Sequence, residues 1–334
     1  MKKTSKYLVI NGKENDFKSD IVMINGVLPY KPVAKYLGVS ISDTGSIKTD
    51  VDLYIAEKRP ALTIKFSNFC KKNFLAPLSV KLQVLHSCVC SVLIYGAETW
   101  GNLNNHELES LYRQGIKCAL SIRNSTNNEI VYLESGLYPL IIRIRSQQIN
   151  FWLALQELIE KDPENHIGKL IRHAERENIN YVAYYRKLIE EYENSNSYQK
   201  LLINSQRREM VNKVSIAAYH DSDSKLGTYY LVNPKLEAPK YEGIFELDRI
   251  VMTRYRTGSH NLRIETGRMS KPFEPRENRL CLCDTDVQTL KPCLLACPLL
   301  MELRDRYGIN NIAEFMSDSG AAKFLYEMEK KLQL

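Results

Sequence analysis

The 334-residue chain predicts an α+β fold that is mainly α-helical. Three observations carry this expectation. Short apolar runs closed by turn residues fill the first 48 positions. From Asp50 the apolar residues fall into a helical period instead. Half of the eight cysteines lie between Cys281 and Cys297, where a small knuckle with flanking helices is expected. Four segments follow: antiparallel hairpins over 1–48, a helical stretch over 49–125, a second over 126–240, and a basic helix, Cys-rich knuckle and C-terminal helices over 241–334.

In order, Tyr7–Ile10 reads as a strand closed by Asn11-Gly12. Ile21–Ile24 is closed by Asn25-Gly26 and followed by Val27-Leu28, and Tyr36–Ile41 reads as one more strand ended by Asp43-Thr44-Gly45. Such a sheet is too small to stand alone. From Asp50 an apolar stripe runs through Val51, Tyr54, Ile55, Ile64, Phe66 and Phe69. Pro60 interrupts it, so a kink or two segments is expected. A helix from Ser79 to Tyr95 is apolar nearly all round, as a buried central helix would be, and Gly96 ends it. Asn104 or Asn105 caps the next helix, through Leu120.

Glu129–Leu133 is a short helix or strand stopped by Gly136 and Pro139. Long helices are expected over 140–158, 163–172 and 181–212, the last broken by a loop at Asn194-Ser195-Asn196-Ser197. Residues 221–241 read as a loop and domain boundary, and Asp221 and Asp223 as a polar turn rather than a metal site. Helices over 245–255, from Pro298 to the Gly308 stop, and over 321–332 complete the chain.

Composition sets bounds on function. The balance of 46 Lys and Arg over 39 Asp and Glu is moderately basic. The excess is uneven: residues 1–100 hold fourteen basic against eight acidic residues, and 249–279 hold eight against three. Two solvated basic faces, or a polyanionic partner, both fit. No apolar stretch approaches the ~18 residues of a membrane helix, and Tyr7–Ile10 is too short for a signal-peptide core, so no membrane partner is expected. Scattered Cys70, Cys88, Cys90 and Cys118 read as reduced thiols of a cytoplasmic or nuclear protein. His86, His173 and His260 have no Ser or Cys at a suggestive spacing, so a hydrolase triad is unsupported.

The cysteine stretch is the strongest chemical signal. Cys281 and Cys283 form one close pair; Cys293 and Cys297 form another across a short loop. Two such pairs can fold four thiolates onto one tetrahedral Zn²⁺ ion. Cys293 and Cys297 are four apart, so one helical turn would place both on one face. Four reduced thiols without a metal are the alternative.

Four stretches, in order, resemble one family. Lys2-Lys3-Thr4-Ser5-Lys6-Tyr7-Leu8-Val9-Ile10 resembles the palm segment after the catalytic aspartate pair of LINE-type (non-LTR) retrotransposon reverse transcriptases. Lys35-Tyr36-Leu37-Gly38-Val39 resembles the family's primer-grip hairpin, and Leu93-Ile94-Tyr95-Gly96-Ala97-Glu98-Thr99-Trp100 the end of its thumb helix. Arg256-Thr257-Gly258-Ser259-His260-Asn261-Leu262, with Arg268 and the cysteines, resembles its C-terminal knuckle region.

The resemblance implies residual palm and primer-grip hairpins at 1–48, a thumb at 49–125, a connector at 126–240 and a knuckle at 241–334. It implies that the chain starts after the family's aromatic-Ala-Asp-Asp run. No Asp-Asp pair occurs anywhere, and two-metal nucleotidyl transfer needs such carboxylates, so no catalytic residue and no Mg²⁺ site is expected. Asp50 and Asp52 are helix-start residues. Tyr95 and Trp100 read as core. In the family's Cys, Cys, His, Cys knuckle, the histidine falls on Pro292 here, so Cys293 would replace it or the site is broken.

A thumb tracks duplex phosphates without reading bases. The candidates for such contacts are Lys58, Arg59, Lys65, Lys71, Lys72, Arg254, Arg256, Arg263 and Arg268, with Tyr36, Leu37 and Gly38 against the primer end. The expected partner is an RNA or DNA backbone, or an RNA/DNA hybrid, bound weakly and without sequence preference. Alternatives are a helical interaction module or decayed gene copy without nucleic-acid function, and a polymerase part completed by a palm in trans.

Overall fold

The computed structural model describes residues 6–10, 19–24, 26–36, 38–100, 106–177, 180–190, 198–241 and 243–334. Helices dominate, and the strands pair as two small antiparallel hairpins, so the α+β, mainly helical class is the fold observed. The chain divides into two compact units. One comprises Met1–Lys65, Cys88–Leu111 and Leu140–Gln199; the other comprises Phe66–Ser87, Tyr112–Pro139 and Lys200–Leu334.

In the first unit, Ile21–Met23 pairs with Gly26–Leu28, and Val33–Tyr36 with Val39–Ser42. The single strand expected over 36–41 is therefore folded back on itself. Gly38, at φ +88°, takes a conformation that an L side chain resists, which permits the two-residue turn. Of the strand expected at 7–10, Tyr7 forms only an isolated bridge to Tyr30. The turn residues Asn11-Gly12 and Asn25, the caps Asn104 and Asn105, the 194–197 loop and Lys2–Ser5 lie outside the described residues.

Asp50 accepts a 2.6 Å hydrogen bond from the Ser42 N–H, fastening the hairpin to the helix start. Ile47–Lys72 is one helix running past Pro60, so of the kink or two segments expected there, the division into two segments does not occur. The Tyr95–Trp100 motif is structural. Gly96, at φ +71°, lets the chain turn, and the Trp100 Nε1–H donates to the Tyr95 carbonyl at 3.0 Å. Trp100 is buried as expected, but Tyr95 is largely exposed. The Glu98 carboxylate takes a 2.5 Å bond from Gln147, and its carbonyl accepts from the Tyr185 hydroxyl. Tyr185 in turn stacks on Trp152, ring centroids 5.0 Å apart.

The helix expected over 79–95 is interrupted. It runs as α-helix over Leu78–Val84, widens to a π-helix over Leu85–Cys90 and ends at Leu93. Nor is it buried all round: Val80 and Cys88 are exposed while Leu85, Val89 and Leu93 are buried.

In the second unit, Asn127 caps the Asn128–Ser135 helix through its side chain, and left-handed Gly136 ends it. Residues 221–241 are not a loose linker. Ser224 caps a Lys225–Val232 helix, and Tyr229, Val232 and Leu236 lie in the main core. Gly227 is what allows the turn before it: a Cβ there would stand 2.4 Å from the Asp221 carbonyl oxygen. The Glu246–Arg256 helix packs on the Ala321–Lys331 helix, which buries Phe324, Leu325 and Met328 as its apolar period requires.

That core encloses charge. Glu246 receives Lys81 at 2.7 Å and Arg249 at 2.8 Å, and the Lys81 side chain is fully buried. The Glu134 carboxylate accepts from Arg256 Nε at 3.1 Å, from Tyr229 at 3.1 Å and from Tyr241. Burial pushes both tyrosines well above the usual range.

Candidate metal centre

The knuckle is a tight hairpin joined to a short helix. Leu280 bridges Val287, the Cys281 N–H donates to the Asp286 carbonyl at 2.9 Å, and the Asp284 N–H returns to the Cys281 carbonyl at 2.9 Å. Asp284 supplies the left-handed turn, at φ +57°. After it, Leu290–Leu295 is a single helical stretch, and Pro298 opens the next. Pro292 sits early enough in its helix that its missing N–H costs nothing, and its carbonyl accepts both Ala296 N–H (2.8 Å) and Cys297 N–H (2.9 Å). Cys297 is thereby turned back toward the hairpin.

The sulfurs of Cys281, Cys283 and Cys297 all lie within 4.8 Å of one another, and this trio could hold a metal ion. Cys281 to Cys297 and Cys297 to Cys283 are each 3.7 Å. That is too long for a disulfide at about 2.05 Å. It matches the edge of a zinc–sulfur tetrahedron, about 3.8 Å for 2.3 Å bonds. Cys293 is fully buried next to Cys281, but it is not one of the mutually close trio.

The four thiols share charge unequally. Cys281 accepts from Cys293 and also from Cys283 and Cys297, which pulls its thiol down to about 4. Cys293, the donor, is pushed up, and burial raises Cys297 to about 12. Cys281 is thus the first thiolate, the form that binds metal. Gln288 braces it: Nε2 donates to Cys281 Sγ at 3.8 Å while Oε1 accepts the Arg263 N–H at 2.8 Å. Arg304 holds the Cys297 carbonyl at 2.5 Å. Such outer contacts fix ligand orientation.

The predicted phosphate contacts fall into two groups. Lys65, Lys71 and Lys72 are exposed and make no ion pair among the described residues. The others are engaged: Lys58 with Glu57 at 3.1 Å, Arg59 with Glu107 at 2.5 Å, Arg263 with Glu274 at 2.6 Å and Arg268 with Glu265 at 3.5 Å. Arg254 Nε donates to the Ser121 carbonyl at 3.1 Å. Arg256 is a correction. Its side chain is 3% exposed and engaged by Glu134 and the Met316 carbonyl, so it is not presented to a phosphate. Of the primer-grip-like residues, Tyr36 is exposed and Gly38 turns the hairpin; Leu37 lies outside the described residues. Arg123, Glu134, Lys81 and Glu246 escaped the sequence reading because their partners lie more than a hundred residues away in the chain.

Compared with family models, with curated proteins and with solved structures, the chain matches none of them.

Proposed function

We propose that the chain is the thumb, connector and zinc-knuckle part of a LINE-type reverse transcriptase, a module without catalytic residues of its own. It binds RNA, DNA or a hybrid weakly through the phosphate backbone. The observation that supports this most directly is the pair of 3.7 Å sulfur separations at the place where the family carries its knuckle. In this reading Zn²⁺ takes Cys281, Cys283 and Cys297, with Cys293 turning in as the fourth thiolate. The ion's role is to tie the hairpin to the helix that follows. Lys65, Lys71 and Lys72 are the cations left for phosphate, supplemented by Arg254.

The test is metal content. Protein purified without chelator carries one zinc per chain, and Cys283→Ser loses it; no zinc in either form refutes the knuckle. Titration of labelled single-stranded RNA and of duplex at two salt concentrations then tests binding, which falls steeply with salt if phosphates are the contacts. No binding at low salt would end the nucleic-acid reading.

A second reading has its own support. Lys58, Arg59, Arg256, Arg263 and Arg268 are spent on acidic partners within the chain, as in a helical interaction module without nucleic-acid function. Salt-independent behaviour together with a bound zinc would favour it.

A further inference from the structure

Within the second unit, a cleft of about 370 Å³ is lined by Ser121, Arg123, Arg254, Ser259, His260 and Asn261, among others. Arg123 and Arg254 both line it, and each is anchored by the surrounding chain. The Arg123 N–H donates to Ser259 Oγ at 3.2 Å and its Nη2 to Asn261 Oδ1 at 3.0 Å. Arg254 Nε donates to the carbonyl of Ser121, whose left-handed φ of 61° turns the chain out of the preceding helix.

Donor capacity is left over. Arg123 Nη1 is buried without a hydrogen-bond partner. Neither terminal nitrogen of Arg254 makes a hydrogen bond among the described residues. An orphaned, charged donor is rare in a folded protein and calls for a ligand or an ordered water. His260 adds a neutral donor. Burial, with Arg123 and Lys225 behind it, holds its pKa down to about 3. Its Nδ1 accepts the Leu262 N–H at 3.3 Å, so the proton sits on Nε2. Two carboxylates oppose this: Glu265, whose charge reaches Arg123 but which is paired with Lys225 at 2.8 Å, and Glu329. The Oε1 of Glu329 is taken by the Tyr255 hydroxyl at 3.0 Å, and among the described residues Glu329 makes no ion pair with either arginine.

We propose that this cleft is a phosphate-binding site, in which Arg123 and Arg254 grip a phosphate ester. Arg254, with both terminal nitrogens uncommitted among the described residues, and Arg123, whose guanidinium keeps donor capacity beyond its bond to Asn261, suit an oxyanion with several acceptor oxygens. The cleft holds about ten water volumes, which leaves room for part of the esterified alcohol beside the phosphate. Fixed guanidiniums lose little freedom on binding. The site is independent of the zinc knuckle and does not require the reverse-transcriptase reading. The phosphate can come from a nucleic-acid backbone or from a small phosphorylated molecule, and the test separates the two.

In the intact chain, arginines are labelled with phenylglyoxal with and without inorganic phosphate, and the peptides are read by mass spectrometry. Phosphate protects Arg254 and Arg123 but not the exposed Arg306. In parallel, Arg254→Gln and Arg123→Gln are titrated with labelled single-stranded RNA. A backbone site predicts binding at least about tenfold weaker and a log–log salt slope shallower by about 1 in each variant. Protection with RNA affinity and slope unchanged assigns the site to a small phosphate ester, which also sustains the proposal. Absence of protection in the unmodified chain overturns it, whatever the variants do.

Discussion

The sequence offers Arg256 as a candidate phosphate contact, yet its replacement should act on folding. Arg256→Met removes both charge-assisted bonds to Glu134, at 3.1 and 3.3 Å, and the bond to the Met316 carbonyl at 3.3 Å. The methionine occupies most of the vacated volume, so little of the cost is a cavity. What remains is a Glu134 carboxylate that is fully buried, facing only the Tyr229 and Tyr241 hydroxyls. Stranding one partner of a buried pair costs about 3–5 kcal/mol. The paired change Glu134→Gln with Arg256→Met removes the stranded charge and should lose less than the two single losses added, by about 1–3 kcal/mol. Urea denaturation followed by tryptophan fluorescence and by circular dichroism measures both quantities. RNA affinity of the folded variant should stay within about twofold of the parent, since a buried arginine contributes no phosphate contact. A loss under about 1 kcal/mol, the level of an ordinary surface change, would refute the reasoning. So would additive losses.

Three more outcomes are expected. Glu246→Gln leaves Lys81 and Arg249 facing each other without their shared anion, and should lower the melting temperature more than Lys81→Met, after which Glu246 keeps Arg249 at 2.8 Å. His260 has a folded pKa of about 3, below its usual 6.5. Its contribution is therefore complete above pH 6.5 and is lost toward pH 3, at up to about 1.4 kcal/mol per pH unit. Subtracting the stability–pH curve of His260→Gln from that of the parent isolates this slope from protonation of the thiols, and a flat difference would contradict the assignment. Gly227→Ala drives a methyl against the backbone at 221–222 and should destabilise by about 1–3 kcal/mol in a thermal melt, although alanine is the better helix former.

The sequence was readable where structure is local. Gly136 and Gly308 do end helices, Pro298 does open one, and the apolar period of 321–332 names the residues that are buried. It misled where a local signal was outweighed. Pro60 leaves two segments open, yet the helix continues as one; polar residues at 221–224 read as a linker, yet they are the cap of a buried helix. The strand at 36–41 hides a turn, because Val33–Tyr36 and Val39–Ser42 both mix apolar and polar residues and read together as one strand, with only Gly38 to hint at the reversal. Of the candidate centre, the four cysteines were legible from spacing, but not which three converge. The buried charges were invisible altogether. Lys81 and Glu246 are 165 positions apart, and nothing in either neighbourhood announces the other. For the same reason, an excess of arginine in 249–279 is a poor guide to surface charge when Arg249 and Arg256 both point into the core.

What the knuckle uses at Pro292 is main chain. Its carbonyl catches two amides and aims Cys297, a service any residue's backbone can render. The half-buried side chain at 292 is then free of that duty. Pro292→His would add a nitrogen donor next to Cys293 without touching the main-chain bonds that place Cys297.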